Sequence, residues 1–175
     1  WTSWDVWVHK YDLLGLLSYH SATGSEPALE AAKRAAALLA ETFGTGGRDI
    51  NEAGDHVGMA ATSVLEPICA LYRETRDPRF LELANSIVGA WERPNGAKLI
   101  SSLSTSGNVF KTANAKAYEM VSNLVGLLEL YRLTGEPRYL DVARKAWADI
   151  TANRLYITGT ISAGEHFQDD HVLPA

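Results

Sequence analysis

The sequence predicts an all-α chain of repeated helical hairpins, and three observations carry that prediction. One segment occurs three times, as "GLLSYHSATGSEPALEAAKRAA" (residues 15–36), "PICALYRETRDPRFLELANSIV" (67–88) and "GLLELYRLTGEPRYLDVARKAW" (126–147). Thr23, Thr75 and Thr134 superpose, as do Leu29, Leu81 and Leu140, followed three places on by Ala32, Ala84 and Ala143. Apolar residues recur at helical spacing, with Leu140, Ala143, Trp147 and Ile150 forming one stripe. The punctuation is helical too: Pro27, Pro78 and Pro137 fall where a first turn needs no N–H.

In chain order, helices are expected over residues 4–22, 27–43, 56–74, 78–91, 113–133 and 137–152, paired as three hairpins. Gly24 and Gly135 suit the left-handed conformation that closes a helix, and Arg76 stands at the same position of the middle copy. Gly15, Pro67 and Gly126 also share one repeat position, five residues before His20, Tyr72 and Tyr131. A helix-weakening residue at one level of three helices points to close packing or a shared bend. The copies lie about 52 and 59 residues apart, too far for a tetratricopeptide period.

The first helix of each pair carries the wetter sequence ("WDVWVHKYD", "DHVGMAATS", "NAKAYEMVSN"), and the second is plainly amphipathic. An inner row wrapped by an outer row follows, forming part of an (α/α)6 toroid. The turns inside hairpins are short; the links between them, near 44–55, 93–112 and from 153 onward, are long. The long links therefore gather at one end, above the inner helix N-termini, where chemistry is usually placed.

Composition narrows the function classes. The chain has 175 residues, 46% apolar and 21% charged, which suits one globular domain. A net charge of −5 without a basic patch argues against a nucleic-acid partner. No apolar run reaches membrane-spanning length. One cysteine, Cys69, excludes an internal disulfide and a cysteine-based metal site within the chain. Trp1 opens the sequence without a targeting segment, so the chain is expected to be part of a longer polypeptide.

Candidate site residues follow from the loop ends. Glu165, between Gly164 and Phe167 in "SAGEHF", has the setting of a general acid whose pKa is raised by desolvation, or of a solvated loop carboxylate. His166, Asp169, Asp170 and His171 lack a recognised ligand spacing, and no metal residue is assigned. Trp1, Trp4, Trp7, His9 and Tyr11 cluster at the first inner helix, either to stack on and bond sugars or as a core stripe. His56, just after the cap candidate Asp55, is a candidate substrate contact. Lys116, Tyr118, Glu119, Ser122 and Asn123 put unusual polarity on an inner helix, where Lys116 and Glu119 either bind substrate or pair with each other. Cys69 reads as a buried small hydrophobe.

The segment "LYRLTGEPRYLDVARKAWADI" followed by "YITGTISAGEHFQDDHVLP" resembles the β-L-arabinofuranosidase family, glycoside hydrolase family 127 and its relatives. That family's motif runs Tyr-Ile-Thr-Gly-Gly, Gly-Glu, Leu-Pro and then Glu-Thr-Cys. Tyr156, Ile157, Thr158 and Gly159 match, with Thr160 in place of the second glycine; Gly164–Glu165 and Leu173–Pro174 match the later pairs. The resemblance implies a retaining glycoside hydrolase acting on plant-type or related glycans, with a carbohydrate substrate, Glu165 as general acid/base and Thr158 among the substrate contacts. It also implies a zinc-bound cysteine nucleophile, with nucleophile and zinc ligands in a C-terminal remainder of the polypeptide and no cofactor held by this chain alone. One departure is clear: "KAYE" (residues 116–119) stands where family members carry His-Ala-Val-Arg. The alternatives from the residues themselves are another α/α-toroid carbohydrate enzyme, such as an epimerase or polysaccharide lyase, and a non-catalytic helical-repeat binding module.

Overall fold

A computed structural model describes residues 1–2 and 4–172, and Leu173 and Pro174 of the matched motif lie outside them. The described residues are all-α apart from two isolated β-bridges. In order they form α1 (Asp5–Thr23), α2 (Glu26–Phe43), a 3₁₀ turn (Ile50–Ala53), α3 (Met59–Thr62) and α4 (Leu65–Thr75). Then come α5 (Pro78–Trp91), α6 (Leu99–Ser106), α7 (Ala117–Thr134), α8 (Pro137–Asp149) and a π turn (Ile150–Arg154). The inner helices α1, α4 and α7 pack side by side, while α2, α5 and α8 back them, an arrangement consistent with part of an α/α toroid.

The repeated threonine now has a physical role. Thr23, Thr75 and Thr134 each donate a hydroxyl to the carbonyl four residues back, at 2.7, 2.8 and 2.9 Å. Each then accepts the N–H two residues on, at 3.3 Å. Gly24, Arg76 and Gly135 all adopt the left-handed cap, with φ of 71°, 57° and 72°. Their N–H groups bond His20, Tyr72 and Tyr131 carbonyls at 2.7 to 2.8 Å. Arg76 takes a conformation that favours glycine while its guanidinium lies 5.8 Å from the Tyr72 ring. One turn chemistry thus closes all three hairpins.

The core runs between the two rows. On α2 it is lined by Ala28, Ala32, Ala36, Leu39 and Phe43, and on α5 by Phe80, Leu83, Ile87 and Trp91. On α8 the expected stripe is displaced. Tyr139, Val142 and Ala146 are buried, whereas Trp147 is 69% exposed. Leu140, Ala143 and Trp147 instead line an open apolar cleft with Leu124, Val125 and Leu128 of α7.

Three further departures concern the long links. The expected helix 56–74 is broken: His56, Val57 and Gly58 all have positive φ, and α3 is a single turn. Pro67 has no N–H for the Ser63 carbonyl and its ring crowds that group, so α3 cannot run smoothly into α4. The third inner helix begins at Ala117, because Ala113 and Ala115 are left-handed and Lys116 is extended. The link 93–112 holds α6, whose Leu99, Ile100 and Leu103 are buried and whose Gly107 closes it.

The shared Gly/Pro level divides as well. A Cβ on Gly126 would lie 2.8 Å from Leu65 Cβ and 2.9 Å from the Glu66 nitrogen, so α7 and α4 touch there. A Cβ on Gly15 would meet no neighbour within 4 Å among the described residues. Close packing explains one glycine and not the other.

Candidate active site

The three long links meet over the N-terminal ends of α4 and α7. Asp49 accepts from Arg93 at 2.9 Å and from Asn95 at 3.1 Å, while Asn51 donates to the Ala90 carbonyl at 2.7 Å. Asn114 approaches His56 Nδ1 at 3.2 Å. The last link is stitched to the segment before α7: Lys116 and His166 form an antiparallel bridge, Ala117 N–H donates to Glu165 O at 2.9 Å, and Phe167 N–H to Ala115 O at 2.8 Å. Phe167 is buried and plugs the loop into the core.

Arg154 holds the other end of that loop. Its side chain is 1% exposed and bonds Asp149 through Nε (2.9 Å) and Nη2 (3.0 Å), Asp170 at 2.7 Å, and the Gln168 carbonyl. Asp149 also accepts the Val109 N–H at 2.8 Å and the Asn153 amide at 2.9 Å. Burial raises the Asp149 pKa, but the bonds from Arg154, Asn153 and Val109 outweigh it and hold it below its ordinary value.

Glu165 therefore sits on a braced loop, in a left-handed conformation (φ 64°), with its carboxylate pointing outward and ion-paired to Lys116. This corrects the expectation of a desolvated, raised carboxyl. The side chain is 75% exposed, and its pKa is lowered, first by the hydrogen bond from Lys116 and then by that ammonium's charge, with smaller help from His166 and His56. Lys116 and Glu119 do not pair as helical neighbours. Lys116 turns to Glu165, and Glu119 turns to His56, with Oε1 3.7 Å from Nε2.

His56 lies at the centre of the cluster. Its Nδ1 meets the Asn114 amide, and its Nε2 faces Glu119. Its ring meets Trp4 at 6.0 Å and His166 at 6.5 Å, both edge-on. From Trp4 an aromatic chain continues through Trp7 to Tyr11 and Tyr118, with centroid spacings of 5.4 to 5.7 Å. Tyr11 and Tyr118 share a 2.5 Å hydrogen bond, and burial, then that bond, raises the Tyr11 pKa. Trp4, Tyr11 and Tyr118 are exposed; the core face of α1 is Val6, Lys10 and Leu13. The aromatic stripe is a surface, not a core.

Of the sequence candidates, Glu165, Lys116, His56, Glu119 and Tyr11 thus fall along one face. His9 does not join them. Its ring packs on Trp1, which packs on Phe43, and Nδ1 bonds the Asp5 carbonyl at 2.8 Å. Thr158 is at an exposed loop tip, bonded to Thr160 at 3.1 Å.

Sequence reasoning missed one group. Lys10 is buried, with Nζ 5.1 Å from the Trp7 ring and 5.2 Å from the Tyr11 ring; burial lowers its pKa against the pull of Glu66 and Glu119. Its position between Val6 and Leu13 on a helical face was the available signal. Glu119 Oε2 is buried and has no hydrogen-bond partner among the described residues. Beside these, Lys10, Tyr11, Glu66, Tyr118 and Ser122 line a cavity of about 350 Å³, walled by Ile161 of the last link.

Among the described residues no three His, Cys, Asp or Glu side chains converge to hold a metal. Asp170 is committed to Arg154, and Asp169 accepts its neighbour's N–H at 2.9 Å. Cys69 is buried against the Gly126 carbonyl, and burial pushes its thiol up to about 12. These residues do not fit a zinc–thiolate centre; the resemblance implies its ligands in the remainder of the polypeptide.

Inner helices capped by a braced carboxylate and a row of rings define the candidate site of this helical-hairpin scaffold. A family model described as "Beta-L-arabinofuranosidase, GH127 catalytic domain" matches residues 1–175, and the chain belongs to that family. It is also 26% identical over 196 residues to the "Non-reducing end beta-L-arabinofuranosidase" of Bifidobacterium longum subsp. longum. That alignment covers 98% of this chain and 29% of the relative, so the chain spans less than a third of the relative's length. Membership of that family sets the chain apart from the epimerase and lyase families.

Proposed function

We propose that this chain supplies the acid/base side of the active site of a retaining, β-L-arabinofuranosidase-like glycoside hydrolase, with Glu165 as the acid/base. The observation that carries the reading is the placement of Glu165, outward-facing on a loop braced by Arg154 and stitched to α7, beside the His56–Glu119 pair and the aromatic row. In the first step its carboxyl protonates the departing glycosidic oxygen as the C–O bond breaks. In the second, its carboxylate takes a proton from the attacking water. The rings of Trp4, Tyr11 and Tyr118, exposed beside half-buried Trp7, stack on sugar faces. Cys69 is not the nucleophile, which comes from residues outside this chain, as do any zinc ligands.

The test uses the full-length protein and two glycosides. With a poor leaving group, Glu165→Gln is expected to lose about 10²- to 10⁴-fold in kcat/KM, the ordinary contribution of acid catalysis. With a nitrophenyl leaving group, which departs without a proton, most of kcat/KM is retained. Equal losses on both substrates would remove Glu165 from the acid role.

A further inference from the structure

Glu165 is held from one side only. Its carboxylate makes a single polar contact among the described residues, the ion pair with Lys116, and the rest of the side chain is open. Lys116 is the opposite case: its side chain is 8% exposed and its backbone is locked by the bridge to His166, with Ala117 N–H bonding Glu165 O at 2.9 Å. A fixed cation meets an exposed anion on the same two-stranded stitch. The other charged or titratable groups facing this point are His166 on the same loop, His56 on the link before α3, and Glu119 behind His56.

We propose that Lys116 is a positioning residue for Glu165: its ammonium, fixed by the bridge beside it, clamps the carboxyl group in one orientation over the site. The proposal rests on the acid/base reading of Glu165 and goes beyond it by assigning a second residue to the same step. Lys116 transfers no proton in this scheme. The reacting form is the one in which Glu165 carries a proton: Glu165 gives that proton to the leaving oxygen and recovers one from water, while Lys116 sets the pH below which the proton is held. An ion pair favours the charged form of a carboxyl, so the proton is lost at lower pH than from a free glutamate. Because the glutamate is solvent-exposed, salt weakens the clamp.

The experiment measures kcat/KM against pH for the full-length protein on a poor-leaving-group glycoside. The descending limb, where Glu165 loses its proton, is expected to move to higher pH in Lys116→Met and to stay in place in Lys116→Arg. At the optimum, Lys116→Met is expected to fall by about 10- to 100-fold, the usual effect of a misplaced catalytic group. A limb that does not move in Lys116→Met overturns the proposal, whatever the loss in rate. The wild type gives an independent reading that needs no folded variant. Raising salt from about 0.05 M to about 1 M is expected to shift the limb upward; an unmoved limb also overturns the clamp. Failure of the acid/base reading itself appears elsewhere, as equal losses of Glu165→Gln on the two leaving groups.

Discussion

Arg154→Met removes the cation that braces the loop carrying Glu165, and the structure sets the size of the effect. Arg154 and Asp149 are buried, at 1% and 9% side-chain exposure, so the substitution strands a carboxylate in a poorly solvated place. Removing one partner of a buried pair costs about 3–5 kcal/mol. Asp149 keeps two donors, the Val109 N–H and the Asn153 amide, which argues for the lower end, about 3 kcal/mol. The loop also loses its ties to Asp170 and the Gln168 carbonyl, so the cost falls on local opening of residues 155–172. About 3 kcal/mol corresponds to roughly a hundredfold rise in that opening equilibrium. Hydrogen exchange of the 155–172 peptide in the full-length protein reads it, and kcat/KM should fall as Glu165 loses its platform. Arg154→Lys, which keeps charge without the planar fork, should fall between. The pH dependence has a definite sign. Asp149 is held below its ordinary pKa, so its contribution is complete above about pH 4 and is lost as pH falls through the lowered value. Unchanged protection of residues 155–172 in Arg154→Met would refute the bracing argument.

Two other predictions follow from packing. Gly126→Ala places a Cβ 2.8 Å from Leu65 Cβ and should destabilise by about 1–3 kcal/mol. Gly15→Ala, at the same repeat position but in open space, should stabilise α1 by about 0.5–1 kcal/mol. Opposite shifts in urea midpoints are expected, and shifts of one sign would contradict the split between the two glycines. Cys69, buried with its thiol near 12, should resist iodoacetamide in the native protein and react after denaturation. Peptide mass spectrometry reads this, and native labelling would disprove its burial.

Much of the scaffold was legible because its signals are local and repeated. The hairpins could be read from the threonine, the proline and the apolar period, since each acts within one turn or one helical face. The breaks were not legible for the opposite reason. His56–Gly58 turn left-handed in the folded chain, where a Cβ on Gly58 would lie 2.7 Å from Asn51. The helix Leu99–Ser106 hid in a serine-rich stretch that reads as loop, although Leu99, Ile100 and Leu103 carried its period.

The site divides along the same line. Motif and repeat alone determined that the chain is all-α, that its long links share one end, and that Glu165 is the carboxylate to examine. They could not pair the charges. Lys116 is three residues from Glu119 but bonds Glu165, forty-nine positions away, and Glu119 faces His56 instead. His9 and the aromatic stripe were sorted only when α1 was packed: His9 turned to Trp1, while Trp4 and Tyr11 turned outward with Trp7 half-buried between them. Helix formation depends on neighbours in sequence, which the chain spells out. Charge pairing and burial depend on which helices touch, and that was decided when the inner row packed and the last loop closed over it.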